Sequence, residues 1–303
     1  MAVRIGPSLA LAAVRRRPGA RRAPLDGLAP YAALGLRRLF AAYRGPLLRA
    51  RRAGDDAQAD FHPRGDGWLD VTALTAWGGS ASVFLVTLYD QTGNGHHAGA
   101  ASMAAQPRLA LAGAADLGPG GRPIAVLDGI DDGLVLADSV GFSQGQAGLT
   151  LAAVVCRSGP NATASNQQII FVPTAGPGGV TRCNLSLFVG DGYRAAAGGR
   201  RLDADAYARV TSPTGLAAGS WGRFIARLRY SVAQADIGVN GGVTSGSFLT
   251  AGTCAATPQV SGISVGATHV GTDFFAGGLT GVVVAQGALD PAPLDAALTQ
   301  LLP

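Results

Sequence analysis

The stretch RFIARLRY, Arg223 to Tyr230, and the stretch ADIGVNG shortly after it, Ala235 to Gly241, decide how the rest of the chain is read. In the first, Phe224, Ala226, Leu228 and Tyr230 alternate with Arg223, Arg227 and Arg229, the period-two pattern of a strand with one face in a core and one face wet. In the second, a short strand runs into Asn240-Gly241, a pair that tolerates positive φ at both positions and so suits a tight hairpin. Further runs of strand character lie at 47–53, 83–89, 149–155, 168–172 and 184–189, the last with Leu185, Leu187 and Val189 alternating. Ile263 with Val265 and the run 274–285 add two more. The expectation is an all-β sandwich.

Composition agrees. The 303 residues include 45 glycines, 48 % are apolar and only 14 % are charged, enough to bury a core in a chain that spends much of its length in turns. All 24 basic residues are Arg and all 19 acidic residues are Asp; without Lys and Glu the chain lacks two strong helix formers. Cys156, Cys183 and Cys254 are odd in number and widely spaced, which reads as free thiols and not as a disulfide framework or a metal site. No run of about 18 apolar residues is present to cross a membrane.

Charge divides the chain. Residues 1–64 hold 13 Arg and 4 Asp, whereas residues 65–303 hold 11 Arg and 15 Asp. Residues 1–28 are therefore read as an Arg-rich arm and residues 29–303 as one sandwich domain. Leu36, Leu39, Phe40 and Tyr43, between Pro30 and Gly45, fall at helical spacing and predict a short capping helix. At the other end, Asp290-Pro291 followed by Leu294, Leu298 and Leu301 predicts a closing helix with Asp290 as its N-cap. Pro7 interrupts the opening apolar run and the Arg cluster follows it, so no export signal is expected.

Two blocks carry a resemblance. LRRLFAAYRGPLLRARRAGDD, LDVTALTAW and above all Tyr89-Asp90-Gln91-Thr92-Gly93-Asn94-Gly95 resemble the opening of the α-L-arabinofuranosidase B catalytic domain. RPIAVLDGIDDGLVL (122–136), ADIGVNGG and the closing FAGGLTGVVVAQGALDPAPLDAALTQLL are similar to laminin-G-like and concanavalin A-like lectin domains. The resemblance implies a two-sheet jelly roll with short peripheral helices. Similar openings also occur in proteins of bacteriophages and phage-like particles.

The resemblance further implies a Glu nucleophile with an Asp partner, and a retaining glycosidase needs its two carboxyl groups about 5 Å apart. This chain contains no Glu, and it lacks the family's paired adjacent cysteines, which leans the reading away from an enzyme. Asp290 falls near the family's acid and base, yet its place as an N-cap already accounts for it. Trp77, Asp90, Asn94, His96 and Trp221 are the candidates for contact with carbohydrate; Trp68 is a further stacking candidate, and every Trp has an alternative place in the core. His96-His97 beside Asp90 and Asn94 reads either as metal ligands or as a tight loop. Asp128, Asp131 and Asp132 read either as an Asp-Gly turn or as oxygen ligands for Ca2+, the one cofactor considered. Arg64-Gly65-Asp66 and the glycosylation-type triplet Asn161-Ala162-Thr163 are discounted as chance.

A lectin-like sandwich works outside a cell, and a particle assembled in the cytoplasm and freed by lysis reconciles that with the missing signal. The expected function is a homo-oligomeric spike or fibre component of a phage or phage-like virion. It would bind cell-surface polysaccharide through the sandwich and other particle proteins through the arm, with no specific nucleic acid and no membrane span. The alternatives are a glycoside hydrolase with altered carboxylates, which requires two facing Asp in a concave cleft, and a purely structural particle adaptor or decoration protein.

Overall fold

The computed structural model describes residues 22–159, 166–175 and 180–303. Its first half carries short strands: β1 (Ala32–Gly35), β2 (Leu48–Arg52), β3 (Gln58–Phe61), β4 (Val83–Leu88), β5 (Ala98–Ala100), β6 (Arg108–Leu111), β7 (Ala114–Ala115), β8 (Ala125–Asp128) and β9 (Leu134–Leu136). Its second half carries longer ones: β10 (Leu149–Arg157), β11 (Asn166–Pro173), β12 (Thr181–Phe188), β13 (Arg194–Gly199), β14 (Ala208–Gly215), β15 (Trp221–Arg229), β16 (Gln234–Val239), β17 (Gly242–Ser247), β18 (Ser264–Val265) and β19 (Ala276–Gln286). Helices α1 (Val71–Gly78) and α2 (Pro291–Thr299) are peripheral. None is long and apolar enough to cross a membrane.

All pairings are antiparallel and resolve into two layers. The back layer runs β1-β19-β10-β15-β16-β17. The front layer runs β14-β13-β12-β11-β18-β9-β5-β4-β2-β3. Strand β8 pairs with both β19 and β6, and β6 with β4, so the layers are joined along one side. Between them lies one apolar core, to which β10 sends Leu149, Leu151, Ala153 and Val155, β15 sends Phe224, Ala226 and Leu228, and β12 sends Cys183, Leu185 and Leu187. This is the β-sandwich that alternation predicted, of the concanavalin A-like jelly-roll kind that the resemblance implied, and Asn240 (φ 51°) and Gly241 (φ 91°) make the β16–β17 turn. All three cysteines are free thiols, with Cys183 and Cys254 buried.

The Arg face of β15 is not simply wet. Ile225 on that face is buried with Ala33, Ala152, Val154 and Val283 beneath Leu294, Leu298 and Leu301 of the C-terminal helix region. Arg223 forms a two-bond ion pair with Asp295 of α2, at 2.9 and 3.1 Å. Leu25 is fully buried in the same patch and donates its amide to Leu39 O at 2.9 Å, so the packed body includes the last residues of the segment read as an arm. The rest of that segment lies outside the described residues.

The helix expected over Leu36–Tyr43 does not form. Leu36 and Leu39 are buried, as their spacing suggested, but other partners take the backbone groups a helix would have paired. Leu36 N reaches Thr280 O, Arg38 N reaches Gly67 O, and the Gln91 side chain accepts from Leu39 N at 2.8 Å while donating to Arg37 O at 2.9 Å. The helix of this half is instead Val71–Gly78, capped by Asp70, which accepts from Ala73 N at 3.0 Å.

Candidate functional site

Because Cys183, Leu185 and Leu187 face the core, Asn184, Ser186 and Phe188 of β12 face outward, on the far side of the front layer. That outer face is polar yet largely covered. Asn184 Nδ2 donates to Gln168 Oε1 at 2.9 Å and to Ser186 Oγ at 3.2 Å, and Asn184 Oδ1 accepts from the Tyr207 hydroxyl at 3.1 Å. Gln168, Asn184 and Ser186 are each at most 3 % exposed. Above this floor opens a cleft of about 460 Å³, lined by residues of β11, β12 and β14 and by the segments around Tyr207 and Asp273.

Its walls pair aromatic rings with planar polar groups. The Arg209 guanidinium lies 3.7 Å from the centre of the Phe188 ring and is held by Asp191 at 2.9 Å. Arg200 lies 5.8 Å from the Tyr207 ring, and His269 stacks on Phe171 with an interplanar angle of 11°. The segment bearing Tyr207 is locked from beneath: buried Arg182 donates to Arg201 O at 2.7 Å and pairs with Asp203. Gly198 of β13 makes room for the arrangement, since a Cβ there would land on the Tyr207 hydroxyl.

Asp273 supplies the one carboxylate among the described lining residues. Burial pushes its carboxyl above the usual range, against the opposing pull of hydrogen bonds from the Asn166 amide and the Gln168 side chain. A polar relay thus runs Tyr207–Asn184–Gln168–Asp273. Burial also pushes Tyr207 up to about 12, which keeps its hydroxyl neutral and donating. Asn166 Oδ1 and His269 Nδ1 are buried without a partner among the described residues. Amide donors and acceptors, hydroxyls, ring faces and two guanidiniums around one carboxylate suit a neutral, hydroxyl-rich ligand.

The residues singled out in the sequence lie outside this cleft. Asp90 is 2 % exposed and accepts from Ala33 N at 3.0 Å, Thr92 N at 3.1 Å, Thr92 Oγ1 at 2.6 Å and Gly95 N at 3.1 Å. Asn94 donates to Tyr31 O at 2.9 Å, and His96 stacks on Tyr31 at 3.9 Å between ring centres. His97 Nδ1 accepts from Asp90 N, which leaves the tight-loop reading of this motif and not a metal site. Trp77 packs edge-on against Phe61 under Arg52, Trp221 packs against the patch beneath α2, and Trp68 is buried. Asp90, Asn94 and His96 share one loop, whereas Trp77 and Trp221 pack at other places. Asp290 accepts from Ala292 N at 3.0 Å as the N-cap of α2, as its spacing predicted, and lines no part of the polar cleft.

Asp128, Asp131 and Asp132 do come together, one oxygen of each within 4.8 Å of the others. Two of them already serve the turn: Asp132 Oδ2 accepts from Asp128 N at 2.8 Å and Asp128 Oδ1 from Ile130 N at 2.7 Å. Burial, with the neighbouring carboxylates adding to it, pushes Asp132 up to about 7. Asn161-Ala162-Thr163 lies outside the described residues.

No family model matches the chain. Two curated relatives, an arabinofuranosidase/β-xylosidase of Trichoderma koningii and an α-L-arabinofuranosidase of Hypocrea jecorina, are each 34 % identical over 61 residues, 20 % of this chain and 12 % of theirs. Among solved structures, a GH54 α-L-arabinofuranosidase soaked with a cyclic sulfate inhibitor superposes with a TM-score of 0.64 at 14 % identity, over 92 % of this chain and 65 % of that one. An arabinofuranosidase complexed with arabinofuranosyl-α-1,2-xylobiose gives 0.61, also at 14 % identity, over 92 % and 64 %. The chain therefore spans only part of its relatives' length, and the likeness establishes an arabinofuranosidase-like β-sandwich.

The cleft residues escaped the sequence reading although one signal pointed to them. The alternation that puts Leu185 and Leu187 inside also puts Asn184 and Ser186 outside on a single strand. Tyr207 and Asp273 come from irregular segments with no period to mark them.

Proposed function

We propose that this protein is a carbohydrate-binding sandwich that takes a saccharide into the polar cleft over β11 and β12 without hydrolysing it. The observation that carries the reading is the buried Tyr207–Asn184–Gln168 network opening on a cleft with one carboxylate. Buried side-chain amides fixed by one another present hydrogen-bonding groups at set positions, which is what distinguishes one hydroxyl pattern from another. Two-carboxylate hydrolysis needs a second acidic group, and the described lining residues offer none. The likeness in fold to arabinofuranosidases supports a saccharide as the ligand class.

A glycan array probed with the purified chain, followed by an assay for released sugar, tests the reading. Binding without release is the expected result. Release of sugar, lost in Asp273→Asn, would favour the second reading, a hydrolase whose acid is Asp273. That reading has its own support in the burial that raises this carboxyl.

The particle context rests on the charge distribution of the sequence and on the resemblance of its 36–95 block to openings found in proteins of phage-like particles. We extend the proposal to it in this form: residues 1–21 anchor the sandwich to a phage-like particle and the cleft faces outward to cell-surface polysaccharide. Deleting residues 1–21 is expected to abolish particle incorporation and leave the sandwich folded, and normal incorporation of the truncated chain would remove the anchor role.

A further inference from the structure

A second cleft, of about 590 Å³, shares no lining residue with the first. Among the described residues it is lined by Arg22, Arg37, Arg38 and Arg122, with Trp68 and a single carboxylate, Asp66. Four guanidiniums against one carboxylate leave it strongly cationic, in a half of the molecule whose body is otherwise rich in Arg–Asp pairs.

The cations are preset. Arg37 and Arg122 both sit on the buried Trp68 ring, their guanidinium carbons 5.6 and 5.5 Å from its centre. Arg37 donates to Gln300 O, and Arg122 pairs with Asp66 at 2.6 Å. Asp66 is in turn fixed by Arg64 at 2.9 Å and accepts from Trp68 N at 3.1 Å. Arg38 is half-buried and tethered through its backbone to Gly67 O, and its guanidinium has no hydrogen-bond partner among the described residues. Forks already held in place lose little entropy when they close on an anion, and the Arg38 and Arg122 forks each have five donors, more than these contacts consume. That the guanidiniums line one cleft and are not strung along a row of charges argues for one anionic group and not for a polymer backbone.

We infer that this cleft is a binding site for a multiply charged oxyanion, a phosphate or sulfate group gripped by Arg38, Arg37 and Arg122. The volume exceeds what one such group fills, leaving room for a small molecule that carries it. The group reaches the cleft either as free inorganic anion or as an ester on a saccharide, and the chemistry of capture is the same.

Isothermal titration of the full chain at fixed ionic strength, with inorganic phosphate, pyrophosphate, sulfate, glucose 6-phosphate and glucose, and with chloride as the control anion, tests the site. Saturable binding of one equivalent of the phosphate-type anions is expected, with none for glucose or chloride. Arg38→Gln is expected to weaken it roughly tenfold or more, the effect of losing one charge-assisted hydrogen bond, while far-UV circular dichroism and Tm stay unchanged. The Arg38→Gln/Arg122→Gln double variant should lose binding altogether, and Arg44→Gln, whose side chain meets only nearby carbonyls, should bind as the parent does. Tighter binding of glucose 6-phosphate than of phosphate would assign a saccharide ester as the source, and equal binding the free anion. Absence of saturable binding, or undiminished binding by the folded double variant, would overturn the inference.

Discussion

The loop after β4 and the cleft over β11 and β12 make opposite uses of the same polar residue types. In the loop, Asp90 and Gln91 turn inward: Asp90 accepts from five amide and hydroxyl groups nearby, and Gln91 bridges the backbone of the β1 segment. In the cleft, Gln168, Asn184 and Tyr207 bind one another and leave a concavity above them. The loop holds the motif through which the sequence resembles arabinofuranosidases, and its Asp90 and Gln91 tie that loop to the β1 segment. A motif can mark a fold because its hydrogen bonds are needed to build that fold, and by the same token those groups are spent before any ligand arrives.

The contrast can be broken at several points. Asp90→Ala should be the most costly change, about 3–5 kcal/mol in chemical denaturation, because it orphans several donors around a buried group. Saccharide binding by the fraction that remains folded should persist. A loss of affinity with little loss of stability would turn the loop into a ligand site.

Asp132 carries the next largest effect, and it appears in a pH profile. Its folded pKa of about 7 lies above the unfolded value of an Asp, so between roughly pH 4 and pH 7 the folded chain binds more protons than the unfolded one and stability falls as pH rises. Equilibrium unfolding should show a loss of about 2–4 kcal/mol across that window, flattened in Asp132→Asn, whose side-chain oxygen can still accept from Asp128 N. A rise in stability with pH, seen only when Ca2+ is added, would make the three-Asp turn a cation site.

Smaller effects sharpen the picture of the cleft. Gly198→Ala should displace Tyr207 from Asn184 and cut saccharide affinity several-fold at a stability cost of about 1 kcal/mol, read by titration and denaturation in parallel. Trp77→Phe should leave affinity within twofold, because Trp77 packs on Phe61 and under Arg52, away from the cleft.

Much of the sandwich could be read from alternation. Phe224, Ala226 and Leu228 face the core as their spacing required, and Asn240-Gly241 turns the hairpin. The short strands β5 to β7 escaped because two to four residues carry too little pattern to register, whereas β8 and β9 fall in the 122–136 block that carries the resemblance. The failed helix at Leu36–Tyr43 had correct apolar spacing, yet its backbone partners, Gln91, Gly67 and Thr280, are remote in sequence. The site was less legible for a related reason. Hydrophobic periodicity reports which residues leave water, whereas the cleft is assembled from the polar side of β11 and β12 and from two irregular segments around Tyr207 and Asp273.

The central claim is that the buried amide network over β11 and β12 is the saccharide site. The most direct test compares the wild-type chain with Asn184→Ala on one glycan array, with circular dichroism to establish that both are folded. The account predicts a glycan bound by the wild type and weakened roughly tenfold or more in the variant, since Asn184 joins Gln168, Ser186 and Tyr207. Equal binding by both proteins would place the saccharide elsewhere and contradict it.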